Sequence, residues 1–299
     1  MKKLLLIVNP CAGQRKARRH LMEVIDVFNR AGYAVLTHIT EGPGNGEKAV
    51  TGYAAEIDLA VCCGGDGTFN ETVSGVLKSG RDIPIGYIPA GSTNDFASSL
   101  HLSPDMVRAA RDIVEGEAVR LDVGRFAERY FSYIASFGIF TKASYSTPQG
   151  LKNALGHAAY ILSGIQELSQ IKSRHVRFAL PDGSVLEDDY IFGAISNSTS
   201  VGGILTLSEN RVDLGDGKFE LLLIRAPRDI TELAECVQVL KNQTYNCGML
   251  TLRNAERVTI TAPKEMDWTL DGERELGRES MEAVCLRHAV RVICNENNC

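Results

Sequence analysis

Ile57-Asp58-Leu59-Ala60-Val61-Cys62-Cys63, followed at once by Gly64-Gly65-Asp66-Gly67-Thr68-Phe69-Asn70-Glu71, is the stretch that decides how this chain is read. The first seven residues form an apolar run that reads as a buried strand. The apolar residues beyond the glycines (Phe69, Val73, Val76, Leu77) fall at helical spacing. A strand that delivers a glycine turn to a helix start is suited to holding phosphate. Glycine has no Cβ, so backbone N–H groups can approach the anion, and the helix N-terminus adds favourable partial charge. Asp66 lies inside this turn and would repel phosphate unless a cation sits between them, which points to metal–nucleotide chemistry.

Around this stretch the first third of the chain alternates strands and helices. Strands are expected at Leu4–Val8, Ala34–Thr40, Ile57–Cys63 and Pro84–Ile88, and helices at Gln14–Ala31, Gly46–Ala55, Thr68–Leu77 and Pro104–Glu115. The segment Pro89–Ala97 reads as a loop. Such alternation predicts a parallel sheet covered on both faces, with ligands beyond the strands' C-terminal ends. The glycine-rich loops after Val8, Val61 and Ile88 all lie at such ends.

From about Val119 the texture changes to β-rich runs at Arg120–Arg125, Arg129–Gly138, His175–Leu180, Asp189–Ser196, Lys218–Arg225, Arg257–Ala262 and Ala283–Cys294. Turn signals such as Pro181-Asp182-Gly183 and Gly215-Asp216-Gly217 separate them, and helical inserts are expected at Leu151–Gln170 and Ile230–Lys241. The fold class is therefore α/β plus all-β: an N-terminal three-layer α/β/α nucleotide-binding domain with a parallel sheet, then a C-terminal antiparallel β-sandwich. The expected domains are 1–118, with 288–299 a candidate to complete it, and 119–287.

The bulk properties narrow the class. The 299 residues allow two domains with large cores, and 44% hydrophobic with 23% charged residues is ordinary for a globular protein. A net charge of −5 argues against nucleic acid as partner. No stretch is long and apolar enough to span a membrane. The run Met1–Val8 ends at Asn9-Pro10 without a cleavage site, so it reads as a first strand and not a signal peptide, and the expected location is cytoplasmic. None of the eight cysteines has zinc spacing, and reduced thiols are expected.

Gly65-x-Gly67-x-x-Asn70 approaches a dinucleotide fingerprint, but the third glycine is missing and the motif follows the third strand. A P-loop is excluded because no Gly-Lys-Ser/Thr follows a glycine run. Taken in order, Asn9-Pro10-x-Ala12-Gly13, Gly64-Gly65-Asp66-Gly67-Thr68-x-Asn70-Glu71 and Pro89-x-Gly91-Ser92-Thr93-Asn94-Asp95-Phe96-Ala97 resemble the catalytic domain of diacylglycerol and sphingosine kinases. The resemblance continues through Asp213-Leu214-Gly215-Asp216-Gly217 and Leu270-Asp271-Gly272-Glu273, and bacterial lipid kinases of this family are similar in length. NAD kinases share the first glycine loop, but the asparagine in Gly91–Phe96 favours the lipid kinases.

The resemblance implies an ATP- and Mg²⁺-dependent lipid kinase acting on diacylglycerol or a related lipid, peripheral to the inner face of the membrane, with its active site between the two domains. It implies a nucleotide site of Asn9, Thr40, Gly64, Gly65, Asp66, Gly67, Thr68, Asn70, Glu71, Gly91, Ser92 and Thr93. Asp66 and Asp95 become candidates to hold catalytic Mg²⁺, and Asp216 with the main-chain carbonyls of Asp213 and Lys218 a structural Mg²⁺, with Asp122 in the linking charge network. Glu273 is the expected general base, since a carboxylate on a turn can reach into a cleft, and Asp66 is its rival. Ser92, Thr93 and Asp95 also read as ordinary helix caps, and Asp271-Gly272 as a plain hairpin turn. The basic cluster Arg15, Lys16, Arg18 and Arg19 reads as a solvated face that can also meet phosphate or an anionic membrane, and Leu151–Gln170 as core before lipid cleft. Two alternatives stay open, a soluble-metabolite kinase such as an NAD kinase and a non-catalytic lipid-binding regulator. A homodimer is allowed.

Overall fold

The computed structural model describes residues 1–138, 172–198, 200–201, 205–206, 213–242, 244 and 246–295. The packing forms two units: Met1–Val123 with Leu214–Gly217 and Leu286–Cys299, and Gly124–Asp213 with Lys218–Cys285.

The first unit alternates β1 (Lys2–Val8), α1 (Lys16–Arg30), β2 (Tyr33–Ile39), α2 (Asn45–Tyr53), β3 (Leu59–Gly64), α3 (Asp66–Ser79) and β4 (Ile85–Pro89), then α4 (Asp95–Ser99) and α5 (Met106–Glu115). Parallel pairing gives the order β2-β1-β3-β4, and Val292 near the C-terminus pairs in parallel with Ile85 at the β4 edge. The strands are apolar at every position in their centres because both faces are covered. Leu4, Leu6, Val8, Val61 and Cys63 point to one side, where they pack with Val24 and Phe28 of α1 and Ala109 and Ile113 of α5. The alternate residues Leu5, Ile7 and Cys62 face the side of α2 and α3, where Cys62 bonds Thr72. The period-2 alternation of a strand thus produces the three layers.

Register brings four loops to one edge of the sheet. Val8 pairs with Ile39 and with Cys63, and Gly64 pairs with Pro89, so the loops beginning at Asn9, Thr40, Gly65 and Ala90 leave the same end of the sheet.

The second unit is antiparallel. It takes in the end of β5 (Glu117–Phe126), then β6 (Arg129–Phe131), β7 (Ile134–Gly138), β8 (Arg174–Ala179), β9 (Val185–Ser196), a small ladder of β10 (Ser200–Val201) with β11 (Leu205–Thr206), β12 (Phe219–Arg225), α6 (Ile230–Lys241), β13 (Leu250–Ala255), β14 (Arg257–Thr261), β15 (Trp268–Leu270), β16 (Glu273–Glu275) and the start of β17 (Ser280–Cys294). The long strand β9 pairs with β7, β8 and β12, all three antiparallel. Its core is aromatic. Trp268 lies 4.7 Å from Phe126 and 4.9 Å from Phe137 between ring centroids, and Phe131 stacks on Phe219. Burying one such side chain stabilises by about 1.5–3 kcal/mol.

Three expectations need correction. Pro89–Ala97 is not loop throughout, because α4 starts at Asp95. Arg129–Gly138 is two strands, split where Ser132 and Tyr133 turn to give their N–H groups to Asp271. The strands β13, β15 and β16 were not expected from sequence. The helix expected at Leu151–Gln170 lies outside the described residues, as does Cys299. Cys11, Cys62, Cys63, Cys236 and Cys247 are free thiols, and burial pushes the Cys63 thiol up to about 12. No described helix is long and apolar enough to cross a membrane.

Candidate active site

The loops after β1, β3 and β4 converge, and their glycines are what lets them. An added Cβ on Gly91 would lie 2.5 Å from Asn94 Oδ1 and 2.6 Å from the Cα of Gly65. Gly13, at φ 44°, presses its Cα side against the carbonyl of Ala90, and an added Cβ would also come within 2.9 Å of the Gly91 carbonyl oxygen. Two backbones can approach this closely only where a Cβ is missing on the facing side.

Within this frame α3 starts at Asp66, and its N-cap residue is Gly65, which has no side chain to cap it. The first-turn N–H groups of Asp66, Gly67 and Thr68 therefore make an anion-attracting end. Asn9 Nδ2 donates to the Thr68 hydroxyl at 3.2 Å, joining the loops after β1 and β3, while Asn9 Oδ1 accepts from the Cys11 N–H. Thr40, at the end of β2, returns both its N–H and its hydroxyl to the Val8 carbonyl. Asn70 is half-buried on α3, one position before Glu71.

Asp66 joins the two glycine loops. Its Oδ2 accepts from the Asp95 N–H at 3.1 Å and its Oδ1 from the Phe96 N–H at 3.3 Å, so it caps α4 from 29 residues away. Beneath it Phe69 stacks between Tyr87 and Phe96, and the Tyr87 hydroxyl reaches Asp66 Oδ1 at 3.4 Å. Burial raises the Asp66 carboxyl from its ordinary 3.8, opposed by the donors from Asp95, Phe96 and Tyr87. A carboxyl raised in the fold favours folding while protonated. That contribution is complete below 3.8 and is lost as pH rises through the folded value, so at neutral pH the charge is carried at a cost. Carbon-detected titration of the ligand-free protein should therefore find Asp66 above 3.8, and a value at or below it contradicts the site electrostatics.

Asn94 completes the second loop. It adopts the left-handed conformation at φ 54°, accepts from the Gly91 N–H at 2.9 Å and donates to the Gly91 carbonyl at 3.1 Å. Its amide closes a ring that leaves Ser92 and Thr93 exposed on the arch between. Sequence analysis quoted Asn94 without a role, although asparagine is the residue that best tolerates this conformation. Glu71 does not point at the glycine turn. Its two oxygens take the N–H groups of Gly44 and Gly46, at 2.7 and 2.8 Å.

Asp216 lies half-buried in the turn Leu214–Gly217 of the first unit. Asp122, 1% exposed, holds that turn: its N–H donates to the Leu214 carbonyl, Oδ2 accepts from the Gly217 N–H and Oδ1 from the His288 N–H. Asp213 and Lys218 flank the turn and belong to the second unit. No group of three or more acidic, histidine or cysteine side chains among the described residues forms a ready-made metal cage.

In the second unit Glu273 opens β16, directly after a two-residue turn in which Asp271 and Gly272 take φ 47° and 89°. Both positive angles fit the tight hairpin turn that Asp-Gly favours. Asp271 is buried and accepts from the N–H groups of Ser132, Tyr133 and Ile134, at 2.5, 3.1 and 3.0 Å. Glu273 itself is exposed and pairs through Oε2 with Arg129 Nη2 at 2.8 Å, while the same guanidinium holds Glu275 at 3.1 Å. Sequence analysis missed Arg129 because its partners lie more than 140 residues away. Replacing Asp271 by alanine orphans three buried N–H groups. Each costs about 1–3 kcal/mol, so Asp271→Ala should unfold in far less urea than wild type, and an unchanged midpoint contradicts this reading.

An open parallel sheet with convergent glycine loops and a glycine-capped helix start at its C-terminal edge is an arrangement suited to holding phosphate. Comparison with known proteins narrows the class. Residues 3–126 match the diacylglycerol kinase catalytic domain. The chain is 33% identical over 279 residues to a diacylglycerol kinase of Bacillus subtilis (strain 168), covering 91% of this chain and 90% of that protein. It is 29% identical to one of Staphylococcus carnosus (strain TM300), covering 91% and 89%. A crystal structure of a diacylglycerol kinase from Bacillus anthracis str. Sterne shares the fold with TM-score 0.76 at 20% identity, covering 100% of this chain and 98% of that one. A second structure from the same organism does so with TM-score 0.83 at 24% identity, covering 100% and 97%. The chain belongs to the diacylglycerol kinase family, and it is a kinase that transfers phosphate to an alcohol.

Proposed function

We propose that this protein transfers the γ-phosphate of ATP, in the presence of Mg²⁺, to the hydroxyl of diacylglycerol or a related lipid at the cytoplasmic face of a membrane. The observation that carries the reading is the convergence of Gly13, Gly65 and Gly91 at the start of α3, whose N-cap is glycine. The lipid acceptor is supported by the relatives named diacylglycerol kinase, which match over nine-tenths of this chain. On this reading the first unit binds nucleotide and the second serves the lipid.

The backbone N–H groups of Gly65, Gly67 and Thr68 receive phosphate oxygens, and Ser92 and Thr93 add a second set of donors from the exposed arch. Asn9 and Thr40 belong to the same edge of the sheet. Phosphoryl transfer spreads negative charge over oxygens, so donors fixed before reaction do most of the work. Asp66 and Asp95 are adjacent, with the Asp95 N–H on the Asp66 carboxylate. One or two carboxylates beside substrate phosphates is the donor set that Mg²⁺ takes, and these two residues would hold it. Asp216, with the carbonyls of Asp213 and Lys218, would hold a second ion in the turn that Asp122 fixes. The ion at Asp66 and Asp95 would supply neutralisation of phosphate charge. Glu273 accepts the proton of the lipid hydroxyl, and Arg129 holds its carboxylate until substrate arrives.

Acceptor competition tests the assignment. Purified protein given labelled ATP, Mg²⁺, mixed micelles of diacylglycerol, and soluble acceptors including NAD and hexose phosphates is expected to label the lipid. Label in a soluble acceptor alone would establish a soluble-metabolite kinase. ATP binding without label in any acceptor would mean a regulator.

A further inference from the structure

The segment Glu41-Gly42-Pro43-Gly44-Asn45-Gly46, which runs from the loop after β2 into the first turn of α2, is a further glycine-rich stretch at the same end of the sheet. It meets no phosphate motif, but it is held firmly. Glu71 reaches across from α3 and accepts from the N–H groups of Gly44 and Gly46 at 2.7 and 2.8 Å, which are N-terminal donors of α2. Gly46 has no Cβ because one would lie 2.9 Å from Glu71 Oε2. A second tie lies on the same turn: Asn45 Oδ1 meets His38 Nε2 at 2.7 Å and accepts from the Glu41 N–H. Further along, α2 closes directly on α3, since an added Cβ at Gly75 would lie 2.9 Å from the Glu47 carbonyl oxygen, and Lys78 pairs with Glu47 at 2.7 Å.

Two consequences follow. The anion position at the start of α2 is already filled by a carboxylate of the protein itself, so α2 offers its N-terminus to no phosphate. The loop also stands at a set distance from the phosphate loops. Strands run in the order β2-β1-β3, and two inter-strand steps of about 4.8 Å put the end of β2 roughly 10 Å from the end of β3. That is the reach of a nucleoside whose terminal phosphates lie at α3. We propose that Glu71 is a positioning residue of the nucleotide site: it ties the phosphate helix α3 to the Glu41–Gly46 loop, and so fixes the wall beside the nucleoside end of ATP. Glu71 is one turn beyond Thr68, so the phosphate cradle and the nucleoside wall are set by a single helix. This rests on the ATP-dependent reading above.

The test is equilibrium binding of ATP to the full-length protein, which needs no acceptor and so stays informative even if lipid is not the substrate. If Glu71→Ala leaves the loop in its competent arrangement about a tenth of the time, the apparent Kd for ATP rises about tenfold. Glu71→Gln keeps one acceptor oxygen and should fall between. In turnover, the loss should appear in KM for ATP, with KM for the acceptor unchanged and kcat at saturating ATP falling far less than kcat/KM. Asn45→Ala cuts the second tie on the same loop and should raise the ATP Kd in the same direction, by less. It carries the test should Glu71→Ala fail to fold. A folded Glu71→Ala that binds ATP with wild-type Kd overturns the proposal, as does an Asn45→Ala of wild-type Kd where only that variant folds. A wild-type protein that binds ATP yet labels no lipid would sink the lipid-kinase reading and leave this one standing.

Discussion

Glu273→Gln is expected to lower kcat by about two to four orders of magnitude, the usual worth of a positioned general base, while the Kd for ATP stays at the wild-type value. Glutamine fits the space of glutamate and can still meet Arg129, but it cannot accept a proton from the lipid hydroxyl. The hairpin itself should survive, because its turn is fixed by Asp271 and Gly272 and its anchor is the Asp271 carboxylate on three N–H groups. Steady-state transfer and ATP binding, measured on one preparation, separate the two effects. Near wild-type turnover would remove Glu273 from the chemistry and leave Asp66 as base. Asp66→Asn should behave differently, damaging nucleotide binding as well as turnover, because Asp66 is also the cap that joins the two glycine loops.

Gly13→Ala should be the most damaging single-atom change in the first unit. It combines a left-handed backbone, φ 44°, with a Cβ driven into the Ala90 carbonyl. The strain costs about 1–2 kcal/mol and the overpacking about 1–3 kcal/mol more, so a loss of about 2–5 kcal/mol is expected together with loss of ATP binding. Gly32→Ala is the control. It shares the positive φ, at 85°, but an added Cβ there meets nothing within 4 Å. It should cost only the backbone strain and leave ATP affinity intact. Denaturant midpoints and ATP titrations on both variants decide the point. Equal effects would show that backbone conformation alone matters and that the close approach of the loops does not.

The α/β half was legible because its signals are local. Strands buried on both faces read as short apolar runs, and α1, α3 and α5 carry apolar residues at helical spacing. Helix α4 was hidden because Gly91, Ser92 and Asn94 give its approach the composition of a loop, and the residue that caps it, Asp66, lies 29 positions upstream. The antiparallel unit was less readable. β13 carries polar Arg253 and Asn254, while β15 and β16 are three residues each and exist only through pairing with β7 and with each other. The site shows the same division. Glycine spacing marked the turn before α3 and the Asp-Gly hairpin. What Asp66, Glu71 and Asp271 hold with their carboxylates is set by tertiary contacts across 25 to 139 residues, and no local pattern announces it. In the Leu270–Glu273 motif the hairpin turn is present with Asp271 as its anchor, and Glu273 stands exposed beside it.

The central claim is that the first unit's phosphate site feeds a lipid hydroxyl. Its most direct measurement follows the phosphorus itself: wild-type protein, Mg²⁺ and diacylglycerol micelles, given ATP labelled either at the γ or at the α position. The account predicts label in the extracted lipid, as a phosphomonoester, from γ-labelled ATP only, with loss of that label in Glu273→Gln. An unlabelled lipid fraction while a soluble acceptor takes up the γ-label would contradict it.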